Sequence, residues 1–399
     1  MSYDVAAVRS RFPALRAGIA HFDGPGGSQV PDSVAGAVAA TMTSPLANRG
    51  QVTSGERAAD AIVLGARAAM ADLLGADPRG VVFGRSMTAL TFDLARTLAA
   101  TWSPGDEIVV TRLDHDANIR PWVLAAGAAG ATVRWLDFDP DTTELDDVAP
   151  LLSDRTRLVA VTGASNLVGT RPALRAIADA VHAAGALFMV DGVHLTAHAP
   201  VDVAALGADL YACSPYKFLG PHCGVLAADP DLLETLHPAK LAPSSDAVPE
   251  RFELGTLPYE LLAGTTAAVE FLAGLDPSAT GDRRARLQAS MAAVEAHELP
   301  LRERIEAHLA TLPGVTVRSR AARRTPTLLV TVDGRDPAEV YRYLAGRRIA
   351  APASSFYALE CSRRLGLGDT GSLRIGLACY TDDADVDRLL DALSGLVGA

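Results

Sequence analysis

The feature that most constrains the fold is a regular alternation of short apolar runs with helical stretches. Each run is bounded by turn residues, as is typical of a buried strand. The runs are VVFG (81–84), EIVVTRL (107–113), TVRWLDF (132–138), RLVAVTG (157–163), ALFMVDG (186–192) and DLYACS (209–214). Alanine- and leucine-rich stretches with helical spacing, such as TALTFDLARTLAATW, separate them. This alternation predicts an α/β fold with a doubly wound, mostly parallel sheet.

The pattern changes near the turn-rich stretch DPSATGD, at residues 276–282. A long charged helical segment follows, and then strands at TPTLLVTVDG and SLRIGLACY alternate with two more helices. We therefore predict a large domain over residues 21–275 and a smaller α+β C-terminal domain over 276–399. Residues 1–20 are expected to form an N-terminal segment that packs with the small domain.

Composition and charge exclude several classes of partner. The net charge of −11 argues against binding to nucleic acid, which requires a basic surface. No apolar run approaches the roughly 20 residues of a membrane span, and the start lacks the order of a signal peptide. The four cysteines show no CxxC spacing and are expected to be reduced thiols. We expect a cytoplasmic protein with no membrane partner and with a small-molecule substrate.

Lysine is almost absent from the chain. Of 36 basic residues only Lys217 and Lys240 are lysines. Arginine cannot lose its proton under ordinary conditions, so a surviving lysine is a candidate for a role that needs a neutral amine. The alternative is chance survival, and for Lys240, which lies in the loop HPAKLAPSSD, we adopt that alternative.

Polar residues follow the predicted strands, where ligands of such a sheet bind. Ser86, Met87 and Thr88 open a helix after the first strand, which makes an anion site; a plain N-cap is the alternative. After the second run, His115 is placed to lie on a cofactor face, although a loop histidine is more often solvated or simply hydrogen-bonded. After the fourth, Asn166 supplies an amide that alone could be a turn residue.

The ends of the fifth and sixth strands are more informative. Asp191 ends a very apolar run, where a carboxylate is costly unless a cation meets it. A structural salt bridge or a helix N-cap would also explain it. Lys217 lies in CSPYKFLGP, among aromatic and apolar residues. Desolvation there lowers the pKa of an amine and frees the neutral nucleophile that attacks a carbonyl.

Together these groups fit one cofactor, pyridoxal 5'-phosphate (PLP). It needs an amine for the aldimine, a carboxylate that keeps the ring nitrogen protonated, a donor to the phenolic oxygen and an anion cradle. Lys217, Asp191, Asn166 and the turn at 86–88 supply these four parts in that order.

At this point the chain resembles the class V aminotransferases, and in particular their cysteine desulfurase-like branch. The resemblance extends from HFDGPGGSQVP near residue 21 to the C-terminus. It is carried by LDHDANIRPW, ASNLVGT, VDGVH, SPYKFLGP, FELGT and LRIGLACY, each in the family's order and approximate spacing. The resemblance implies a PLP-dependent transferase fold of type I, with residues 21–275 as the PLP-binding domain.

The resemblance also implies roles for the central residues. Lys217 is similar to the Schiff-base lysine, Asp191 to the partner of the pyridinium nitrogen and His115 to the residue that stacks on the ring. These three are the catalytic candidates. Asn166 resembles the donor to the phenolic oxygen, and Arg374 the arginine that grips the substrate carboxylate with its bidentate fork.

Further binding residues follow from the same resemblance. The turn Ser86-Met87-Thr88 resembles the phosphate turn, although the usual Gly-Thr-Thr-Glu is altered, so its backbone amides are expected to matter most. Ser214 resembles another phosphate hydroxyl. Thr256 resembles the hydroxyl that the partner subunit supplies, which implies a homodimer with an interfacial site. The remaining substrate-binding candidate is Asn48.

The chain departs from the family at three places. Tyr216 replaces a common histidine, and His194 stands where many members have glutamine; both remain cofactor-binding candidates. Tyr357 falls near the position of the nucleophilic cysteine of desulfurases. Cys361 lies one helical turn further on, and we interpret it as a small buried hydrophobe.

The sequence thus predicts a PLP-dependent enzyme that acts on a small amino acid. C–S bond cleavage of a cysteine-like substrate is the first expectation, because the most similar branch contains desulfurases. Amino-group transfer or epimerisation is the alternative, and a non-catalytic PLP-binding protein is a third, less favoured alternative.

Overall fold

The computed structural model describes residues 3–398. Thirteen strands are assigned within them. They are β1 Ala20–His21, β2 Val81–Gly84, β3 Glu107–Thr111, β4 Thr132–Leu136, β5 Thr156–Thr162, β6 Leu187–Asp191, β7 Leu210–Cys213, β8 Gly224–Ala228, β9 Val315–Val317, β10 Thr327–Val332, β11 Ile349–Ala350, β12 Ala353–Ser354 and β13 Ser372–Gly376. All six predicted strands of the large domain are confirmed within two residues at each end.

Thirteen α-helices are assigned in the same residues. They are α1 Val5–Ser10, α2 Asp32–Met42, α3 Ser54–Leu74, α4 Met87–Ala99, α5 Arg120–Ala129, α6 Leu174–Ala183, α7 Val203–Leu206, α8 Pro230–Glu234, α9 Tyr259–Ala273, α10 Arg283–Leu309, α11 Pro337–Ala345, α12 Leu359–Arg364 and α13 Asp383–Val397. In the described part of the chain, no helix combines the length and the apolarity that a bilayer span requires.

The large sheet has seven strands in the order β2-β8-β7-β6-β5-β3-β4. The five strands from β7 to β4 are parallel, and only β8 runs against both of its neighbours. The prediction of a mostly parallel α/β sheet is therefore confirmed. Strand β8 was not predicted. Its sequence, GVLAA, carries no alternation that distinguishes a short buried strand from a helical segment.

Both faces of this sheet are covered. Along β3 the side chains alternate, so Ile108 and Val110 join one apolar cluster and Val109 joins the other. Helices α4 and α5 cover the first face, for example with Trp122, and α3, α6 and α9 cover the second. Because β3, β5 and β6 are buried on both sides along most of their length, their apolar runs are nearly continuous, whereas the edge strand β4 is only partly buried and carries Arg134 in its middle.

The C-terminal part forms an antiparallel sheet in the order β12-β13-β10-β9. Helix α10 bridges the two parts: Leu287 and Met291 belong to a cluster of the large sheet, whereas Leu301 and Ile305 pack with the small one. The division at residue 276 therefore stays a prediction. In the N-terminal segment, Arg9 contacts two C-terminal carboxylates, and strand β1 pairs with β11.

Candidate active site

A cavity of about 560 Å³ opens at the carboxyl ends of the parallel strands, between the large sheet and residues of the small one. It brings together eleven of the thirteen predicted site residues. They are Ser86, Met87, Thr88, His115, Asn166, Asp191, His194, Ser214, Tyr216, Lys217 and Arg374. The volume lies in the usual range for a small-molecule site.

Lys217 lies in a 3₁₀ turn that follows β7. Its ammonium donates to the backbone oxygen of Pro25 at 2.6 Å and lies 4.8 Å from the centre of the Tyr216 ring. Burial lowers the pKa of Lys217 to about 7; the positive charge of Arg374 acts in the same direction, and Asp191 opposes it. A substantial fraction of this amine is therefore neutral near pH 7, which is the form that attacks an aldehyde.

Asp191 is the last residue of β6 and is 4% exposed. One oxygen accepts a hydrogen bond from the backbone N–H of Val193 at 2.9 Å. Burial raises the pKa of Asp191 to about 6, while that hydrogen bond and the charge of Lys217 lower it. Neither a salt bridge nor a helix N-cap is formed, so the two structural explanations for this carboxylate do not hold within the described residues.

His115 begins a 3₁₀ turn after β3. Its Nδ1 accepts from the backbone N–H of Ala117 at 3.0 Å, which leaves Nε2 as the protonated nitrogen of the neutral ring. Burial lowers the pKa of His115 to about 4, and the charge of Lys217 adds to that effect. The ring is therefore uncharged at neutral pH, as a ring that stacks on an aromatic cofactor should be.

Asp114 supports this turn and was not among the predicted site residues. It is fully buried and accepts hydrogen bonds from the Thr111 hydroxyl, the Asn118 amide at 2.7 Å and the backbone N–H of Thr162 at 3.0 Å. Burial raises the pKa of Asp114 to about 8. A sequence signal for Asp114 was available, because this residue lies in the motif LDHDANIRPW, directly before His115.

Asn166 and Arg374 join the two sheets. Arg374, on β13, is 2% exposed and donates to the backbone oxygen of Asn166 at 2.9 Å. Its guanidinium lies 3.7 Å from the centre of the Phe356 ring. Burial lowers the pKa of Arg374 to about 9, and no carboxylate of the described chain pairs with it. A surface ion pair therefore does not explain this arginine in the described part of the chain.

The N-terminus of α4 forms one end of the cavity. Ser86 caps this helix, with its hydroxyl accepting from the N–H of Ala89 at 3.1 Å. A Cβ on Gly224 would lie 2.2 Å from the backbone carbon of Ser86, so only glycine allows β8 to pack against the turn. The N-cap interpretation is thus correct for the Ser86 side chain. The free amides and dipole of the helix remain available for an anion.

The residues at all three departures from the family line the cavity. The Nε2 atom of His194 lies 3.0 Å from the hydroxyl of Thr325 and 2.9 Å from that of Thr327. Burial lowers the pKa of His194. The ring of Tyr216 stacks on His222 at 4.6 Å.

Asn48 and Thr256 lie outside the cavity of the single chain, and both are exposed. Their roles stay predictions. Other lining residues were not predicted, because their side chains meet the cavity only through the tertiary fold; among them are Phe92, Arg120 and Phe356.

The mouth of the cavity is formed by Ser354, Phe356 and Tyr357. Phe356 and Tyr357 have φ angles of 51° and 59°, a left-handed conformation that non-glycine residues rarely adopt. Cys361, in contrast, is fully buried in α12, and burial raises the pKa of its thiol. It does not line the cavity.

The cavity fits PLP. The side-chain oxygen of Asn166 is buried without a hydrogen-bond partner among the described residues, so a polar group is still needed there. The cavity also offers groups that match three parts of that cofactor. The amine with a lowered pKa matches the aldehyde, the buried carboxylate matches the ring nitrogen, and the helix N-terminus matches the phosphate. Fold and site together define a PLP-dependent enzyme of fold type I.

Comparison with known proteins identifies the family. Residues 20–389 match the family model for class V aminotransferases. The uncharacterized protein MT3887 of Mycobacterium tuberculosis is 36% identical over 400 residues, which cover 99% of this chain and all of the relative. A probable cysteine desulfurase of Pseudomonas aeruginosa is 31% identical, with 96% of each chain covered. The crystal structure of the cysteine desulfurase CsdA of Escherichia coli superposes with a TM-score of 0.88 at 29% identity, covering 100% of this chain and 99% of CsdA.

The chain therefore belongs to the class V aminotransferases, and its predicted resemblance to the cysteine desulfurase-like branch is confirmed. Its cofactor is PLP, as expected for this family.

Proposed function

We propose that the chain cleaves the C–S bond of a cysteine-like amino acid by elimination, without a thiol of its own. The observation that carries the proposal is the meeting of Lys217, Asp191 and Arg374 in one cavity that contains no cysteine among its lining residues. All four cysteines lie within the described residues and are buried. Burial also raises the pKa of the nearest candidate, Cys361, and so suppresses its reactive thiolate.

Different residues of the cavity would hold different parts of the cofactor. Lys217 would bind the aldehyde, and the Asp191 carboxylate would meet the ring nitrogen. His115 would lie on the ring, and the N-terminus of α4 would hold the phosphate, with Ser214 nearby. PLP supplies an electron sink for the electron pair left at Cα when a proton is removed.

The chain's own groups then control the substrate. Arg374 is buried, charged and not paired with any carboxylate in the described chain, so it is poised to bind the substrate's carboxylate in bidentate fashion. Lys217 would take the proton from Cα once the substrate is bound. Its lowered pKa favours that role, because about half of the amine is neutral near pH 7.

The assembly and the location belong to the same proposal. Thr256 is exposed and lies outside the single-chain cavity, which is consistent with a homodimer in which it reaches the partner's phosphate site. Asn48 is also exposed and is proposed to contribute to substrate binding. A cytoplasmic location is supported by the four separate, reduced thiols. A monomer in solution with full cofactor occupancy would contradict the homodimer.

The test is a substrate panel with the purified holoprotein. Cysteine and S-alkylcysteines should give pyruvate and ammonia together with sulfide or the thiol. Lys217→Ala should abolish the release of sulfide or thiol. Alanine with a protein persulfide would instead show sulfur transfer. A keto acid that retains sulfur would show amino-group transfer, and a racemised substrate would show epimerisation, which the same set of residues can also support.

A further inference from the structure

We propose that Tyr357 is the general acid that protonates the departing sulfur. This inference rests on the proposed elimination, in which a basic alkanethiolate leaves faster when an acid protonates it as it departs. As Lys217 accepts the Cα proton, the electron pair of that bond forms a Cα–Cβ double bond. The Cβ–S bond breaks, its electron pair stays on sulfur, and sulfur accepts the phenolic proton. Water then returns a proton to the phenolate, and hydrolysis of the enamine gives pyruvate and ammonia.

Tyr357 is fixed in place by its backbone. Its carbonyl oxygen accepts from the N–H of Asp116 at 2.7 Å, and its φ of 59° lies in the left-handed region. Its ring centre lies 5.5 Å from that of His115, at an angle of 32°. A non-glycine residue held in this conformation at a cavity wall indicates a functional constraint. Although Tyr357 lines the cavity, it is 75% exposed, so water can reprotonate it.

The preceding residue anchors the same turn to the substrate-binding groups. The backbone oxygen of Phe356 accepts from the amide of Asn166 at 3.0 Å, and its ring lies against the guanidinium of Arg374. Ser354 accepts from the N–H of Phe356 at 3.1 Å. The turn that carries Tyr357 is therefore positioned by the residue proposed to bind the substrate carboxylate.

Four of the other donors around the cavity are engaged or unsuited. Arg120 is paired with Asp116 at 3.1 Å, and the Thr162 hydroxyl donates to the backbone oxygen of Ala164. The neutral His115 would have to form an imidazolate to donate. Tyr216 is stacked on His222, and burial raises its pKa.

The test compares leaving groups in the holoprotein. With S-ethylcysteine, Tyr357→Phe should lose about 10²-fold in kcat, because a positioned acid contributes that much when the leaving group is basic. With S-(4-nitrophenyl)cysteine the loss should be within about threefold, because that thiolate leaves without a proton. Tyr341→Phe is the matched control, since Tyr341 lies on α11 and does not line the cavity. It should change neither rate.

Three results would overturn the inference. An equal loss with both substrates would assign Tyr357 a merely structural role, and no loss with either would exclude it from the reaction. In both cases the wild-type protein still releases thiol, so the proposed function stands. If the wild-type protein releases no thiol from any S-substituted cysteine, the proposed function and the inference fail together.

Discussion

The two walls of the cavity are built in opposite ways. The floor lies at the strand ends of the large sheet, where Lys217 and Asp191 are mostly buried and flanked by continuous apolar strands. The mouth is a turn between β12 and α12, with two left-handed residues and an exposed tyrosine. The floor holds the groups that PLP chemistry at Cα needs in general. The residues of the mouth are placed where they can determine how the leaving group of the substrate departs.

Substitution of Lys217, in the floor of the cavity, should have the largest effect on turnover. Lys217→Ala removes the amine that we propose binds the cofactor and moves the Cα proton, so turnover should fall by on the order of 10³-fold or more. Wild-type protein should be yellow, and borohydride should fix the cofactor to the peptide that contains Lys217. Lys240→Ala, which changes the only other lysine, is the control and should keep both the colour and the activity. Labelling of Lys240 instead would refute the assignment.

Asp191→Asn should have the second-largest effect on turnover. The amide cannot keep the ring nitrogen protonated, so turnover should fall by on the order of 10²-fold or more while some cofactor remains bound. Absorbance of the purified variant measures occupancy, and product release measures turnover. Near-normal turnover would mean that Asp191 is only a structural carboxylate.

The burial of Lys217 in the floor should also determine how the rate of PLP attachment depends on pH. The pKa of Lys217 is lowered to about 7, so its reactive neutral fraction increases with pH and is nearly complete above that value. Attachment of PLP to cofactor-free protein should speed up by about tenfold per pH unit below pH 7 and then level off. A free lysine derivative, with its pKa near 10.4, should keep accelerating under the same conditions. Stopped-flow absorbance distinguishes the two; a protein rate that keeps rising past pH 9 would show that burial does not perturb this amine.

The smallest effect is expected behind the mouth, at Cys361. Cys361→Ala should keep most of the activity and should lower the free energy of unfolding by about 1 kcal/mol, because a small buried group is lost. Denaturation measures the second quantity, and mass spectrometry of the working enzyme checks for a persulfide. A trapped persulfide on Cys361, with activity abolished in the variant, would make the chain a true desulfurase with a displaced nucleophile.

The floor could be predicted from sequence because it obeys local rules. Apolar runs mark buried strands, and the polar residue that ends each run must lie at one edge of a parallel sheet. Lys217, Asp191, His115 and Asn166 were found in this way and do meet in one cavity. The short strand β8 escaped because an apolar run of five residues has no periodicity of its own.

The sequence alone thus determined the alternation that makes the sheet, the lysine that follows β7 and the chemical types at the strand ends, since these depend on neighbours along the chain. The tertiary structure alone decided what depends on distant segments. It buries Asp114 beneath the His115 turn, lays Phe356 against Arg374 and holds Tyr357 at the mouth while Cys361 points into the core. Burial and charge pairing between distant segments set a side chain's pKa and exposure, and no local pattern records them.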